Sequence, residues 1–280
     1  MHTVKAALEE ALATIERIDA QVLMCHVLGV NRASLAANPF RILTETEDAR
    51  IDSLVAQRAL GAPVAYLVES REFYGRDFTV GPDVLIPRPE TETLIEAALE
   101  RLGGATSCLD LGTGSGAIAV TLACERPALQ VTATDVSPAA LAIARGNARR
   151  HMCDARIAFA EGSWYAAVPG GRFDLVVANP PYVASADAHL EQGDLRFEPK
   201  MALTDGSADG LDSIRAIVVG ARAHLRPGGW LLFEHGYDQA DAAARLLAEA
   251  GFVECLAAAD LAGIARVAGG KIAAQTGESP

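Results

Sequence analysis

The chain has 280 residues, of which 50% are hydrophobic and 21% are charged. This length and composition predict about two domains with a sizeable core, and they exclude a disordered, collagen-like or disulfide-stapled protein. The net charge of −12 argues against a protein that grips nucleic acid through a surface that neutralises phosphates.

Cysteine usage and hydropathy argue against a structural zinc site and a membrane protein. The five cysteines are scattered and never form a Cys-x-x-Cys pair, so most are expected to be small buried side chains in a reducing compartment. The first 20 residues mix charged side chains into a helical pattern, which predicts no signal peptide. No apolar run approaches the ~20 residues needed to span a membrane. We therefore expect a cytoplasmic protein with no metal and no membrane contact.

The N-terminal part of the chain, residues 1–68, is predicted to be a bundle of helices. Apolar side chains recur there at helical spacing, first at Val4, Leu8, Leu12 and Ile15. A later helix is predicted over Asp52–Leu60. Up to Glu72 the chain carries 7 basic and 10 acidic side chains, so this bundle is acidic. Residues 69–88 alternate around glycines and predict a β-hairpin linker, and residues 273–280 form a polar tail.

From Glu90 onward, segments typical of strands and helices alternate along the chain. We predict strands at Leu109–Leu111, Val131–Thr134, Ile157–Phe159, Phe173–Ala178, Trp230–Glu234 and from Val253 onward. Helices are predicted at Ala117–Glu125, Ser137–His151, Leu211–Leu225 and Gln239–Ala250. Alternation of this kind predicts an α/β domain over residues 89–272, with a mostly parallel sheet and helices on both faces.

A glycine loop lies between the first of these strands and its helix. Residues 110–116 read Asp-Leu-Gly-Thr-Gly-Ser-Gly, a GxGxG spacing that differs from the GxGxxG of a dinucleotide site and lacks the lysine of a P-loop. Asp135 follows 19 residues after Gly116, at the end of the next strand, where an acid can accept hydrogen bonds from ribose hydroxyls. This pair favours S-adenosylmethionine as cofactor; the alternative is a glycine turn with a helix-capping aspartate.

A rigid polar loop follows the strand Phe173–Ala178. It reads Asn179-Pro180-Pro181-Tyr182, and its two prolines fix φ and remove two backbone donors. The side-chain oxygen of Asn179 and the carbonyl of Pro180 can accept both hydrogens of a planar nitrogen nucleophile, and Tyr182 can stack on it. Orientation of this kind accelerates methyl transfer without a metal or a general acid. The alternative is a stiff strand-end turn with no catalytic task.

With these motifs, the chain resembles the N(5)-glutamine methyltransferases that modify class-1 peptide-chain release factors. The resemblance extends to about Gly270, and its carriers are Arg71–Gly75, Val84–Glu92, Asp110–Ala119, Asn179–Val183, Arg196–Pro199 and Leu231–Gly236. It implies a seven-stranded, Rossmann-like class I methyltransferase sheet. The implied substrate is the glutamine of the Gly-Gly-Gln motif. The sequence departs from the family at Glu69, where glycine is usual, at Ser163, where aspartate is usual, and at residues 264–265.

The resemblance also implies roles for individual residues. S-adenosylmethionine, which leaves as S-adenosylhomocysteine, would be held by Gly112, Thr113, Gly114, Ser115, Gly116, Asp135, Trp164 and Asn179. The glutamine would be held by Asn179, Pro180, Pro181 and Tyr182, with Asn179, Pro180 and Tyr182 carrying the catalysis. Glu90 and Glu198 are further candidates for substrate contact. The equal alternatives are a helix start at Glu90 and a lid-loop anchor at Glu198.

Three other functions stay open from the sequence. An amino-methyltransferase of nucleic acid also uses Asn-Pro-Pro-Tyr, but base-flipping enzymes need a phosphate-contacting surface and this chain has only three lysines. A methyltransferase for a ribosomal-protein glutamine usually lacks the Glu-Thr-Glu found at residues 90–92. A cofactor-binding protein without catalysis is disfavoured by the intact Asn179. We expect a monomer without nucleic acid, whose helical bundle docks the class-1 release factor.

Overall fold

The structure is a computed structural model that describes residues 2–274, and it divides into two compact units. The helical unit runs to Ser70 and includes Glu191–Phe197, and the sheet unit holds the rest of the described chain. Of the polar tail predicted over residues 273–280, residues 275–280 lie outside the described part. The boundaries that the sequence predicts at residues 68 and 88 remain predictions.

The helical unit has a hydrophobic core of its own. Its helices in the described residues are α1 (Val4–Ala11), α2 (Arg17–Leu28), α3 (Arg32–Ala37), α4 (Glu45–Ala59) and α5 (Val64–Leu67). The first helix ends at Ala11, before the end of the apolar pattern that predicts it. Helix α4 begins earlier than the predicted Asp52, because Thr44 and Glu47 form a capping box upstream.

His2 lies between two carboxylates of the helical unit. Its Nδ1 is 2.6 Å from Asp48 Oδ1 on α4, and its Nε2 is 3.3 Å from Glu10 Oε1 on α1. The hydrogen bond to Asp48 raises the pKa of His2 above its usual value; burial opposes this shift, and the charges of Asp48, Glu10 and Asp52 add to it. A histidine whose pKa is raised by folding stabilises the folded state while it is protonated.

Replacing His2 by glutamine is expected to lower the melting temperature at about pH 5.5 and to have less effect at about pH 8.5. The stabilisation is complete below the usual histidine pKa of about 6.5, and it is lost as the pH rises through the raised pKa of the folded state. Thermal unfolding of both proteins across this range measures the difference. A difference in melting temperature that does not change with pH would contradict the ion-pair interpretation.

Glu69, which stands where the family usually has glycine, has a strained backbone conformation. Glu69 has φ 55°, in the left-handed region, just before the first strand. A side chain in that region costs roughly 1–2 kcal/mol, and glycine avoids most of this cost. The left-handed backbone at position 69 therefore explains why the family usually has glycine there.

The sheet unit is built on seven strands that follow a short hairpin. The hairpin is β1 (Ser70–Phe73) and β2 (Arg76–Thr79), inside the segment predicted to be a hairpin linker. The sheet strands are β3 (Ser107–Leu111), β4 (Gln130–Asp135), β5 (Ile157–Glu161), β6 (Phe173–Ala178), β7 (Leu225–Glu234), β8 (Val253–Ala259) and β9 (Ala265–Lys271). Their spatial order is β5-β4-β3-β6-β7-β9-β8, and β9 runs antiparallel to both of its neighbours. This arrangement confirms the predicted α/β fold with a seven-stranded, mostly parallel sheet.

Helices connect the strands and cover the sheet. In chain order they are α6 (Glu92–Leu102), α7 (Ala117–Glu125), α8 (Pro138–Arg150), α9 (Lys200–Leu203), α10 (Asp212–His224) and α11 (Ala240–Glu249). Strand β7 begins at Leu225, earlier than the predicted start at Trp230. The prediction starts late because residues 226–229, Arg-Pro-Gly-Gly, have the composition of a turn, whereas in the structure they belong to the strand. Within the described chain, no helix combines the length and apolar content that crossing a membrane requires.

Strand β6 is buried on both faces, which fixes the loop that follows it. Leu175 and Val177 belong to the core that includes α6 and α7, whereas Val176 and Ala178 belong to the core that includes α10 and α11. Such alternation is the pattern of a central parallel strand. The strand therefore holds the start of the Asn-Pro-Pro-Tyr loop in a fixed place.

The parallel strands end together at one edge of the sheet. Leu111, near the end of β3, pairs with Thr134 on β4 and with Ala178 on β6. The chain turns to opposite sides after β3, first to β4 and later to β6, and ligands of open α/β sheets bind outside the strands at such a reversal. The glycine loop, Asp135 and Asn179 all lie at this edge.

Candidate active site

A cavity of about 1070 Å³, counted out to its open mouth, lies at this edge of the sheet unit. The predicted site residues in its wall are Gly112, Thr113, Gly114, Ser115, Asp135, Trp164, Asn179 and Pro181. The wall does not include Gly116, Pro180, Tyr182, Glu90 or Glu198. The structure therefore brings together most of the predicted cofactor contacts and part of the predicted substrate contacts.

The glycine loop turns tightly at the end of β3. The backbone N–H groups of Gly112 and Thr113 both donate to the carbonyl of Thr134, at 2.9 and 2.8 Å. Gly112 has φ 72°, and a Cβ there would lie 3.4 Å from the ring of Trp164. Glycine at this position lets the backbone form the floor of the cavity with no side chain in the way.

Gly116 has a packing role that the sequence motif does not distinguish from a ligand contact. It precedes α7 with φ 82°, and a Cβ there would lie 3.1 Å from the Cβ of Ala144 on α8. The third glycine therefore allows α7 to approach α8 closely. This explains its absence from the cavity wall.

Asp135 connects the loops that follow β3 and β4. Its Oδ2 accepts from the N–H of Gly114 and its Oδ1 accepts from the N–H of Ser137, both at 2.9 Å. A carboxylate has about four acceptor sites, so both oxygens can accept further hydrogen bonds from a molecule in the cavity. The residues at this end of the cavity thus fit a ribose, which presents paired hydroxyl groups.

Trp164 lines the cavity with a strained backbone. Its φ is 47°, which is unusual for a bulky side chain, and its ring packs against Gly112. Strain of this kind persists where the surrounding structure fixes it, and it clusters at ligand sites. Ser163, which departs from the family pattern, lines the same wall.

Beneath the glycine loop lies a buried carboxyl group, Asp110, that sequence reasoning treated only as the start of the motif. Burial raises the pKa of Asp110 to about 7, and the hydroxyl of Thr113 opposes this shift by donating to Oδ2 at 2.6 Å. This bond holds the side chain of Thr113 against Asp110. The backbone of the loop is thereby left to face the cavity.

Asn179 presents its amide to the cavity in a defined arrangement. Its Nδ2 donates to Thr91 Oγ1 at 3.1 Å. Among the described residues its Oδ1 has no hydrogen-bond partner, and the residue lines the cavity. An unpaired acceptor is therefore available to a ligand with an N–H group.

Tyr182 is partly buried behind this loop. Its hydroxyl donates to Glu234 Oε1 at 2.9 Å, and its carbonyl accepts from Gln239 Nε2 at 3.0 Å. Burial and the neighbouring Glu234 raise the pKa of Tyr182. Since the ring is absent from the cavity wall, these contacts describe an anchor for the loop, and stacking on a substrate stays a prediction.

The two candidate glutamates lie outside the cavity wall. Glu198 is buried; its Oε2 accepts from the N–H of Ile86 at 2.9 Å, and its Oε1 pairs with Arg88. These contacts favour the lid-loop anchor, because Pro199, directly after it, lines the cavity. Glu90 lies in the short 3-10 turn that precedes α6, where an acid is favourable at a helix start. Substrate contact by either glutamate stays a prediction.

Sequence reasoning missed three residues that support the Asn-Pro-Pro-Tyr loop: Thr91, Glu234 and Gln239. The signal available in the sequence for Glu234 was an acid directly after the apolar run of residues 230–233, since a carboxylate in such a place needs a partner when it is buried. The neighbouring His235 is buried, and burial lowers its pKa, while its Nδ1 lies 2.8 Å from the carbonyl of Gly236. This hydrogen bond gives the histidine a structural role.

Two family models match the chain. The model described as "PrmC N-terminal domain" matches residues 1–68, and the model described as "Methyltransferase small domain" matches residues 89–194. Two curated relatives are named release factor glutamine methyltransferase. The protein from Burkholderia pseudomallei is 52% identical over 92% of this chain and 93% of its own. That from Xylella fastidiosa strain Temecula1 is 51% identical over 95% of this chain and 97% of its own.

A solved structure agrees with the fold of the chain. The crystal structure of a methyltransferase from Pyrococcus furiosus matches with a TM-score of 0.52 and 18% identity. The match covers 78% of this chain and 97% of the other. At this identity the likeness concerns the fold alone.

Proposed function

This chain belongs to the release factor glutamine methyltransferase family, and we propose that its cavity brings S-adenosylmethionine and the glutamine of a release factor together for methyl transfer. It is an S-adenosylmethionine-dependent protein-glutamine methyltransferase. Its product is the N5-methylated glutamine of the Gly-Gly-Gln motif in class-1 factors. The observation that carries the proposal is the free Oδ1 of Asn179 in the same cavity as the glycine loop and Asp135.

The cofactor fits the residues of the cavity. Asp135 would accept from the ribose hydroxyls, Gly112 and Gly114 leave room for the methionine part, and Trp164 supplies an apolar wall. When bound, S-adenosylmethionine supplies a methyl group on a positively charged sulfur that is ready to leave as a neutral thioether. The residues of this chain therefore need to bind and orient; the donor already carries its leaving group.

The main task of Asn179 is to orient the substrate amide. Its Oδ1 would accept one N–H hydrogen of the glutamine and so aim the nitrogen at the methyl group. Acceptance of the second hydrogen by the carbonyl of Pro180, which lies outside the cavity wall, stays a prediction. The cofactor would supply the methyl group as its C–S bond opens, and the nitrogen would release one N–H proton to solvent. Fixed acceptors stabilise the positive charge that develops on the nitrogen without reorganising. Positioning of this kind can supply up to about 7–11 kcal/mol of a barrier.

We assign docking of the release factor to the helical bundle of residues 1–68. This segment is acidic, with 8 acidic against 6 basic side chains, and the residues that line the cavity all belong to the sheet unit. We further propose that the enzyme acts as a monomer, without nucleic acid. Because its substrate works in translation, the proposed location is the cytoplasm.

Methyl transfer from radiolabelled S-adenosylmethionine tests the function directly. The acceptors are a purified release factor, the same factor with the Gly-Gly-Gln glutamine changed to alanine, ribosomes, and DNA. Label on the wild-type factor alone is expected. Label on ribosomes or DNA would contradict the substrate, and no label anywhere would contradict the enzyme. A short Gly-Gly-Gln peptide is a further acceptor: a kcat/KM equal to that for the intact factor would contradict docking by the helical bundle.

Changing Asp135 to asparagine is expected to weaken S-adenosylmethionine binding about tenfold. The asparagine amide keeps one acceptor oxygen but loses the negative charge and the second acceptor oxygen. The expected loss of binding free energy is about that of one hydrogen bond to a charged group. Isothermal titration calorimetry measures the dissociation constant. Asp154→Asn, an exposed aspartate of the same unit, is the control. Unchanged affinity in Asp135→Asn would remove this residue from the cofactor site.

A further inference from the structure

Three buried or partly buried side chains contact or belong to the Asn-Pro-Pro-Tyr loop: Thr91, Tyr182 and Glu234. Thr91 is itself part of the cavity wall. Thr91 is 4% exposed and Glu234 is 1% exposed. Thr91 accepts from Asn179 Nδ2, and Tyr182 donates to Glu234 Oε1. The proposed function uses Asn179 and leaves open what fixes the orientation of its amide.

The second oxygen of Glu234 accounts for the direction of the Thr91 hydroxyl. Glu234 Oε2 is buried and has no hydrogen-bond partner of ordinary length in the described chain, and a buried carboxyl oxygen is costly to leave without a donor. Thr91 and Tyr182 both favour the charged form of Glu234, whose pKa is raised by burial, but only Tyr182 makes a hydrogen bond of ordinary length to it. The hydroxyl hydrogen of Thr91 is therefore drawn toward Glu234.

This direction fixes which end of the Asn179 amide faces the cavity. A hydroxyl has one hydrogen, so a Thr91 that donates toward Glu234 offers only lone pairs to Asn179. The side-chain NH2 of Asn179 satisfies those lone pairs, and its oxygen then faces the ligand. The flipped amide would set its oxygen against the oxygen of Thr91 and its NH2 against the NH2 of the substrate.

We propose that Thr91, directed by Glu234, is the positioning residue that keeps the acceptor oxygen of Asn179 toward the substrate amide. The proposal rests on the proposed function, because it assumes that Asn179 holds the glutamine. It also assigns a chemical preference to the site: the nucleophile must bring N–H donors, so a carboxylate side chain in the same place is rejected. Thr91 touches neither reacting atom in this proposal and acts through Asn179.

A set of threonine variants tests it. Thr91→Val keeps the shape and removes the hydroxyl, and it is expected to lower kcat about tenfold while KM for the release factor changes little. Thr91→Ser keeps the hydroxyl and is expected to recover most of the rate. Thr121→Val is the matched control, because Thr121 is fully buried and its hydroxyl has no partner in the described chain. A Thr91→Val enzyme with unchanged kcat would overturn the proposal.

A double-mutant cycle separates this inference from the proposed function. Asn179→Ala combined with Thr91→Val is expected to be no slower than Asn179→Ala alone, since Thr91 acts only through Asn179. If the two losses add, Thr91 acts by another route and the inference fails. If Asn179→Ala alone keeps the full rate, the proposed function of the loop fails first. Should Thr91→Val not fold, Glu234→Gln serves in its place; it is expected to lower kcat with KM unchanged, and unchanged kcat would overturn the proposal.

Discussion

Replacing Asn179 by alanine is expected to reduce kcat for methyl transfer to the release factor by about 10²–10³-fold, the usual effect of removing one preformed polar group from a transition state. The variant loses the acceptor that orients the substrate nitrogen, because Oδ1 is the free polar atom of Asn179 in the cavity. The cofactor keeps Asp135 and the glycine loop. Its affinity should therefore change far less than kcat. Single-turnover methylation and calorimetric binding measure the two quantities separately.

The control for this variant is Gln130→Ala, which removes an exposed side-chain amide from the sheet unit. It should methylate the factor at the wild-type rate. An Asn179→Ala enzyme that matches this control would show that the Asn-Pro-Pro-Tyr loop is a turn without a catalytic task. Equal losses of cofactor affinity and of kcat would instead make Asn179 chiefly a cofactor ligand.

The parts of the cavity that can be predicted from the sequence are those formed by short motifs, whose residues lie close together along the chain. The glycine loop and its acid are separated by one helix, and parallel pairing of β3 with β4 brings them to one edge whatever the rest of the chain does. The Asn-Pro-Pro-Tyr loop is likewise a continuous motif after a buried strand. For these elements, the local pattern already contains the physical cause.

The supports of the loop are not predictable in this way, because their contacts join distant parts of the chain. Thr91 bonds to Asn179 across 88 positions, and Tyr182 bonds to Glu234 across 52 positions. The sequence shows Thr91 as a residue of a helix start and Glu234 as the last residue of a strand. Only the packing of α6 and β7 around the loop brings them to Asn179 and Tyr182.

Gly116 illustrates the converse, in which a motif is present but its members differ in role. The pattern treats its three glycines alike, whereas the structure gives Gly112 to the cavity floor and Gly116 to the contact with Ala144. Spacing alone cannot separate these two reasons for glycine, because both require a positive φ or a close approach.

The loop that covers Tyr182 offers a second large effect. Gly210 has φ 67°, and a Cβ there would lie 2.1 Å from the carbonyl oxygen of Tyr182 and 2.7 Å from its carbonyl carbon. That carbonyl already accepts from Gln239 Nε2. An alanine at position 210 therefore cannot be accommodated unless the backbone of the Asn-Pro-Pro-Tyr loop moves.

Gly210→Ala is accordingly expected to lower kcat by about 10²-fold, because a shift of about 1 Å in a positioning group can cost that much. Gly206→Ala is a matched control: its φ is 83°, yet an added Cβ meets nothing within 4 Å. Both variants carry the conformational cost of about 1–2 kcal/mol for a side chain in the left-handed region. Urea unfolding should therefore show a loss of stability in each, while kcat should fall only in Gly210→Ala. If both variants lose stability and keep kcat alike, the carbonyl of Tyr182 can move without disturbing Asn179, and the loop is less rigid than its two prolines and its buried strand imply.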